Sequence, residues 1–243
     1  MLIVKLNAID STNSYLRKLS AKEIIQDYTT VIAKEQTQGR GQMGTVWSSE
    51  ASKNLTFSVF KEMSQFHLEH PFYISIVTSL ALLKTLQFFS ISRLSVKWPN
   101  DILSEDKKIC GILIENVIKQ NNINASIIGI GLNVNQTEFK NLPKASSLKI
   151  ISGKVFDLDE IVHAILKNLE HYFLLLEKGQ CHILKNEYEK YLFRKNKPST
   201  FKDVEGSIFS GFIKGISQSG NLQVLLEDDI TKEFDLKTIE LLY

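Results

Sequence analysis

A glycine-rich loop, Gly39 to Trp47, separates two β-like runs of this chain. The runs at 29–33 and 54–60 are rich in β-branched and aromatic residues, which favour strands. The loop contains the spacing G-x-G-x-x-G, but the dinucleotide-binding fingerprint requires a helix at its third glycine. Here Thr45 and Val46 lead into a strand, so no βαβ unit fits. Thr45 also stands where a P-loop needs lysine.

The same loop has the chemistry to hold an anion. Its three glycines allow backbone N–H groups to come close to a charged ligand. Arg40 lies between two glycines and can reach a phosphate or carboxylate. Trp47 offers a flat face to a planar ring. We expect the loop to be mobile when empty and ordered by its ligand. On glycine content alone, an ordinary flexible surface loop stays the alternative.

Composition excludes several classes of protein. The chain has 243 residues, of which 43% are hydrophobic and 23% charged, with a net charge of +2. This is ordinary for a globular protein with a sizeable core, and it gives no global field for DNA or an anionic membrane. Cys110 and Cys181 are far apart, and His and Cys show no metal-ligand spacing, so reduced thiols in the cytoplasm are expected. Residues 1–6 lack the features of a signal peptide, and polar residues interrupt the apolar run 72–89.

Hydrophobic periodicity predicts an α+β protein with two domains. The first part has strands at 2–6, 29–33 and 54–60, a helix at 71–89, a hairpin of strands at 107–118 and 125–134, and helices after Asp157 and at 181–192. From Pro198 onward, glycines separate short alternating strands, which predicts a small β-barrel. We therefore expect domains at 1–195 and 196–243.

Other polar segments have ordinary explanations when each is taken alone. Ser11-Thr12-Asn13 suits a helix cap, Pro99-Asn100-Asp101 a turn, and Lys107-Lys108 a solvated strand end. Gly129 and Gly131 lie inside a predicted strand, where glycine often marks the close approach of another backbone or a ligand.

Together, in this order and spacing, these segments closely resemble the biotin protein ligase family. The most specific strings are Lys97-Trp98-Pro99-Asn100-Asp101 and Lys108-x-x-Gly111-Ile112-Leu113-x-Glu115, downstream of Gly39-Arg40-Gly41. The resemblance covers essentially the whole chain. It implies a mixed β-sheet backed by helices, of the class II synthetase-like kind, followed by a small SH3-like β-barrel.

The resemblance also implies an activity. Members of the family join biotin to ATP, giving biotinyl-5′-adenylate and pyrophosphate, and then pass the biotinyl group to one lysine of a biotin carboxyl carrier domain. The expected partner is such a domain in a biotin-dependent carboxylase of the acetyl-CoA carboxylase type. ATP and biotin are the expected substrates and Mg²⁺ the expected ion. A homodimer is possible, and no DNA or membrane partner is expected.

Site residues follow from the resemblance, residue by residue. Arg40 and Lys108 would be the catalytic cations, opposing the repulsion between a carboxylate and an α-phosphate. Biotin would be bound by Ser11, Thr12, Asn13, Gln36, Gly39, Arg40, Gly41, Lys108, Gly111, Ile112 and Gly129. ATP or the adenylate would be bound by Arg40, Gln42, Trp47, Lys97, Asn100, Lys108 and Asn133. Asp101 is the candidate ligand for Mg²⁺.

Two positions depart from the family pattern. Gln42 and Thr45 stand where arginine is usual, so the loop has Arg40 as its only guanidinium. We expect weaker retention of the adenylate for this reason.

Three rival functions exist, one enzymatic and two from other classes. A lipoate ligase shares the reaction logic, but the Lys-Trp-Pro-Asn-Asp string and the C-terminal barrel favour biotin. A non-catalytic biotin-binding regulator would need to lose Lys108 or Arg40, and both are present. A DNA-binding repressor of this family carries a helix-turn-helix domain before the catalytic domain. The first predicted strand begins at Leu2, so we expect none here.

Overall fold

A seven-stranded sheet forms the centre of the protein in its computed structural model, which describes residues 1–66, 68–236 and 238–243. Its strands are β1 (Ile3–Ile9), β2 (Thr30–Gln36), β3 (Leu55–Glu62), β4 (Leu94–Lys97), β5 (Asp101–Ser104), β6 (Lys107–Lys119) and β7 (Asn122–Leu132). The spatial order is β1-β2-β3-β7-β6-β5-β4. β1 and β2 are parallel and the other neighbours are antiparallel, so the sheet is mixed as predicted.

A second, five-stranded antiparallel sheet follows toward the C-terminus. Its strands are β8 (Pro198–Asp203), β9 (Ile208–Ile216), β10 (Leu222–Leu226), β11 (Thr231–Phe234) and β12 (Ile239–Leu242). The stacked rings of Phe201, Phe209 and Phe234 pack inside it. The predicted fold class is therefore confirmed. The boundary between 195 and 196 stays a prediction.

Five α-helices cover the central sheet in the described part of the chain. They are α1 (Thr12–Lys22), α2 (Phe72–Phe88), α3 (Leu148–Ser152), α4 (Leu158–Glu177) and α5 (Cys181–Lys190). Asp157 caps α4, the helix predicted to follow it, by accepting from the Glu160 N–H at 2.9 Å. None of these helices is long and apolar enough to cross a membrane.

The two faces of the central sheet have different neighbours. On one face, alternate residues of β3 and β7 such as Phe57 and Ile130 join α2, α4 and α5 in the main core. On the other face, α1 packs over a smaller cluster that contains Leu16, Phe60 and Ile127. Because both faces are covered, β3 is buried at every position except Glu62. β3 is therefore a central strand, although Leu55, Phe57 and Val59 alternate with polar residues, a pattern typical of a half-buried strand.

Several elements differ from the sequence prediction, and β1 and β2 each end three residues later than predicted. The structure adds β8, β12 and the short helix α3, which the sequence pattern did not indicate. β7 begins three residues before the predicted Ala125, at Asn122, because the tight turn lies at Gln120 and Asn121, both with positive φ. β12 is an edge strand of its sheet and β8 lies between β9 and β12, so both are defined by pairing with distant residues, which overrides local propensity.

A partly buried carboxylate joins the second sheet to the helical layer. Glu189 of α5 accepts the Ile216 N–H at 3.0 Å, and its oxygens lie 3.1 Å from Lys195 Nζ and 3.4 Å from Lys185 Nζ. A Cβ at Gly215 would lie 2.6 Å from Glu189 Oε1, so this approach requires glycine. Burial opposes ionisation, but the Ile216 N–H and the two lysines outweigh it, so the pKa of Glu189 lies below its usual value.

We predict that Glu189→Gln destabilises the protein at neutral pH by about 1 kcal/mol, through loss of charge-assisted hydrogen bonds. A carboxylate with a lowered folded pKa stabilises fully above its unfolded pKa of about 4.3, and this contribution falls as pH drops through the folded pKa. Denaturant unfolding from pH 8 to pH 3 should therefore show a difference in the free energy of unfolding between wild type and variant. This difference should be constant at neutral pH and should close below about pH 4.3. A difference that persists at pH 3 would contradict the assignment.

Candidate active site

A cavity of about 360 Å³ opens on the α1 face of the central sheet. This volume lies in the range of small-molecule sites, about 300–1,000 Å³. Most of the predicted site residues line it: Ser11, Thr12, Asn13, Gln36, Arg40, Gly41, Gln42, Trp47, Lys97, Asn100, Asp101, Lys108, Gly111, Ile112 and Gly129. The fold thus brings together segments that are as much as 118 positions apart, from Ser11 to Gly129.

Buried polar side chains form the floor of the cavity. Ser11 caps α1, as the simplest sequence interpretation predicted. Gln36 Oε1 accepts from Thr12 N at 2.8 Å and from Thr12 Oγ1 at 3.0 Å. Ser58 Oγ donates to Asn13 Oδ1 at 2.5 Å and lies 2.7 Å from Thr12 Oγ1. This floor presents fixed donors and acceptors to a neutral polar ligand, which needs matched hydrogen bonds when buried.

A β-bulge in β6 places Lys108 in the cavity. Cys110 pairs with Ile102 of β5, but Lys108 pairs with the next residue of β5, Leu103, so β6 has one extra residue here. The adjacent residues Ile109 and Cys110 are both fully buried. Because side chains alternate along a strand, the extra residue re-aims Lys108 to the face that Gly111 occupies. Without the bulge, Lys108 would point toward the main core.

Lys97, Lys108, Arg40 and Asp101 are the charged residues that line the cavity in the described part of the chain. Lys108 Nζ lies 2.6 Å from Asp101 Oδ1. Lys97 Nζ lies 4.8 Å from the ring centre of Tyr243. Burial lowers the pKa of Lys97 from its usual value, and the charge of Asp101 opposes this. The cavity therefore carries more positive than negative charge, which suits an anionic ligand.

The indole of Trp47 lies directly on two strand glycines. A Cβ at Gly131 would lie 2.3 Å from Trp47 Cε2, and one at its cross-strand partner Gly111 would lie 3.1 Å from Trp47 Cζ3. Lys108 Nζ is 5.8 Å from the ring centre, within cation–π range. Trp47 Nε1 is buried, and no described residue accepts a hydrogen bond from it.

The loop that carries Arg40 is a short hairpin in the structure. Gly41 N donates to Thr45 O at 2.7 Å and Trp47 N to Gly39 O at 3.0 Å, around a 3₁₀ turn at Gln42–Gly44. Arg40 forms two hydrogen bonds with Glu115, at 2.9 and 3.3 Å. The predicted mobility of the empty loop stays a prediction.

Three predicted residues have other contacts in this structure. Asn133 is buried outside the cavity and donates through Nδ2 to the Ser146 carbonyl at 3.0 Å. Gly39 lies on the outer side of the loop, where a Cβ would meet the Trp47 carbonyl oxygen at 2.2 Å. A Cβ at Gly129 would lie 2.5 Å from Asn13 Oδ1, so the α1 side chain fills that space. Their ligand contacts stay predictions.

Sequence reasoning missed several residues at or beside the cavity. Glu115 could have been found, because it shares a strand face with Gly111 and Leu113. Leu236, from the turn between β11 and β12, lines the cavity and had no local signal. Trp98 also lines it and donates through Nε1 to the Gly220 carbonyl at 2.9 Å, which ties the second sheet to this site.

The sequence model of the biotin/lipoate A/B protein ligase family matches residues 6–133. This span is more than half of the 243 residues. The chain belongs to this family. The matched region runs from β1 past the end of β7, so it contains nearly all of the cavity-lining segments.

Two proteins of similar sequence and one of similar structure are named as ligases. The chain is 28% identical to the bifunctional ligase/repressor BirA of Bacillus spizizenii, over 93% of this chain and 70% of that protein. It is 31% identical to the biotin–[acetyl-CoA-carboxylase] ligase of Mycobacterium tuberculosis, over 66% of this chain and 59% of that protein. A structure of the Aquifex aeolicus biotin protein ligase with biotin and ATP superposes with a TM-score of 0.84 at 26% identity, covering 99% of this chain and 98% of that one.

We predict that Gly131→Ala displaces Trp47, because the added Cβ would overlap the indole, and that it costs about 1–3 kcal/mol through overpacking. ¹⁹F NMR of protein labelled with 5-fluorotryptophan should show a shifted Trp47 resonance and an unchanged Trp98 resonance. Gly111→Ala is the matched control, since its longer contact predicts a smaller shift. If Gly131→Ala leaves the Trp47 resonance in place, the indole does not lie on Gly131.

Proposed function

We propose that this protein joins biotin to ATP and transfers the biotinyl group to a lysine of a biotin carboxyl carrier domain. The observation that carries the proposal is the pair of cations that meet at one cavity, Lys108 from the bulged strand and Arg40 from the hairpin loop. Membership of the ligase family supports it, as do the names of the similar proteins.

In the first step, a biotin carboxylate oxygen attacks the α-phosphorus of ATP, and pyrophosphate leaves with the electron pair of the broken P–O bond. Two unit charges 4 Å apart repel by about 4 kcal/mol at an effective dielectric constant of about 20. Cations fixed before the reaction oppose this repulsion without further reorganisation. Lys108 would bind the carboxylate and then the acyl-phosphate oxygens, and Arg40 would close over them.

In the second step, the amine of the carrier lysine attacks the acyl carbon, the C–O bond to AMP breaks and the amine loses a proton. The polar floor of Thr12, Asn13 and Gln36, supported by Ser58 beneath it, would hold the ureido ring in place during both steps. Trp47 would stack against the adenine, with its free Nε1–H available to the ligand.

The side chains at the cavity fit a magnesium ion that arrives with ATP. No group of three or more His, Cys, Asp or Glu side chains able to hold a metal is found in the described part of the chain. Mg²⁺ bound to nucleotides takes its oxygens mainly from phosphates and water, with one or two carboxylates. Asp101 would be that carboxylate, and Lys108 already lies 2.6 Å from it. Bound there, the ion would neutralise charge on the leaving pyrophosphate.

We predict that Lys108→Met lowers biotin-dependent exchange of labelled pyrophosphate into ATP by about 100- to 1,000-fold, the usual effect of removing one fixed donor to a developing charge. Lys107→Met is the matched control, because Lys107 Nζ instead donates to the Pro143 carbonyl outside the cavity, and it should keep nearly full exchange. Equal losses in the two variants would mean that Lys108 has no specific role.

The same exchange assay separates the rival functions. Biotin-dependent exchange supports the proposal, and exchange that depends on lipoate refutes it in favour of a lipoate ligase. Biotin binding by calorimetry without exchange would indicate a non-catalytic regulator. Capture of the biotinylated protein from the source cell would identify the carrier. A homodimer, a cytoplasmic location and the absence of a DNA partner stay predictions.

We further predict that this enzyme releases free adenylate, because Gln42 lines the cavity where the family pattern has arginine. Gln42→Arg should slow the appearance of free biotinyl-5′-adenylate in reactions without carrier. Gln38→Arg adds the same charge on the outer side of the loop and should leave the rate unchanged. Release from wild type that is no faster than from Gln42→Arg would contradict the prediction.

A further inference from the structure

Glu115 of β6 receives hydrogen bonds from two other elements of the fold. Arg40 of the hairpin loop donates through Nη2 to Oε2 at 2.9 Å and through Nη1 to Oε1 at 3.3 Å. Asn13 Nδ2 of α1 donates to Oε2 at 2.8 Å, and Arg17 Nη1 lies 3.4 Å from Oε1. The Glu115 side chain is only 17% exposed. Charge-assisted bonds in such a partly desolvated place are stronger than at an open surface.

Glu115 determines where the guanidinium of Arg40 points. The side chain of Arg40 is 44% exposed, and its neighbours Gly39 and Gly41 have no side chains to pack against it. The backbone hydrogen bonds of the hairpin hold the main chain but leave the guanidinium free to turn. Among the described residues, Glu115 accepts both hydrogen bonds that Arg40 donates. A two-bond pair of this kind fixes the plane of the guanidinium as well as its distance.

The same carboxylate also connects the loop to the floor of the cavity. Oε2 of Glu115 accepts from both Arg40 and Asn13. Asn13 accepts from Ser58, which in turn contacts Thr12 at 2.7 Å. A ligand that turns the Asn13 amide would therefore change an acceptor that Arg40 uses.

We propose that Glu115 is a positioning residue, which lies just outside the cavity and holds the guanidinium of Arg40 at the cavity's edge. The consequence for catalysis rests on the proposed function, since it assumes that Arg40 stabilises the adenylation step. The link between Glu115 and Arg40 does not, because it is a property of the protein without substrates.

Limited proteolysis tests that link without any activity. Trypsin binds the guanidinium of an arginine in its own acidic pocket when it cleaves the peptide bond that follows. The hydrogen bonds to Glu115 keep the Arg40 guanidinium out of that pocket and so slow cleavage between Arg40 and Gly41. Glu115→Gln keeps the shape of the side chain and should raise the rate of cleavage after Arg40 several-fold, measured by mass spectrometry on the full chain. Arg17→Met removes the other guanidinium from the same carboxylate and should leave this rate near wild type. Equal cleavage in wild type and Glu115→Gln overturns the proposal.

A double-mutant cycle on biotin-dependent pyrophosphate exchange tests the catalytic consequence. Glu115→Gln should lower exchange roughly 10- to 100-fold, as misplaced catalytic groups do. In an Arg40→Met background the same change should have an effect within about twofold, because only coupled residues deviate from additivity. Glu115→Asp, which keeps the charge, should recover part of the loss.

Equal losses in both backgrounds would assign Glu115 a merely structural role and overturn the proposal. A wild-type protein with no biotin-dependent exchange would instead refute the proposed function. In that case the cleavage comparison alone decides whether Glu115 holds Arg40.

Discussion

The bulge at Ile109 and Cys110 is the constraint on which the site depends. Strand residues alternate between faces, so regular pairing would have sent Lys108 to the side of Cys110 and Ile112, under α2. An ammonium buried there without a partner would cost several kcal/mol. One extra residue reverses the alternation once. It keeps Ile109 and Cys110 in the core and brings Lys108 within 2.6 Å of Asp101 at the mouth of the cavity.

The cavity itself exists because glycines leave one face of the sheet bare. The indole of Trp47 lies on Gly131 and Gly111, and the side chain of Asn13 packs against Gly129. Any larger residue at these positions would fill the space that the loop and α1 now occupy. Glycine weakens a strand in isolation, but here the helical layer on the opposite face supplies the packing. The same arrangement lets two distant segments reach one site.

The charges of the site are arranged as pairs that a ligand can rearrange. Lys108 lies beside Asp101, and Arg40 beside Glu115. Each cation is thus held in place by a carboxylate, and each remains partly exposed. Preorganisation of this kind avoids moving charges at the moment of reaction. Glu115 differs from Asp101 in that it also contacts the polar floor through Asn13.

The sequence alone determined the order of most elements, the mixed fold class and most of the residues that meet at the cavity. Periodicity and turn residues are local properties of the sequence, and the motif strings contain the residues on which the family's chemistry depends. Tertiary structure decided the direction of Lys108, the partner of Arg40, the burial of Asn133 and the second sheet's contact through Gly220 and Leu236. These depend on register and on side chains distant in sequence, which no local pattern specifies.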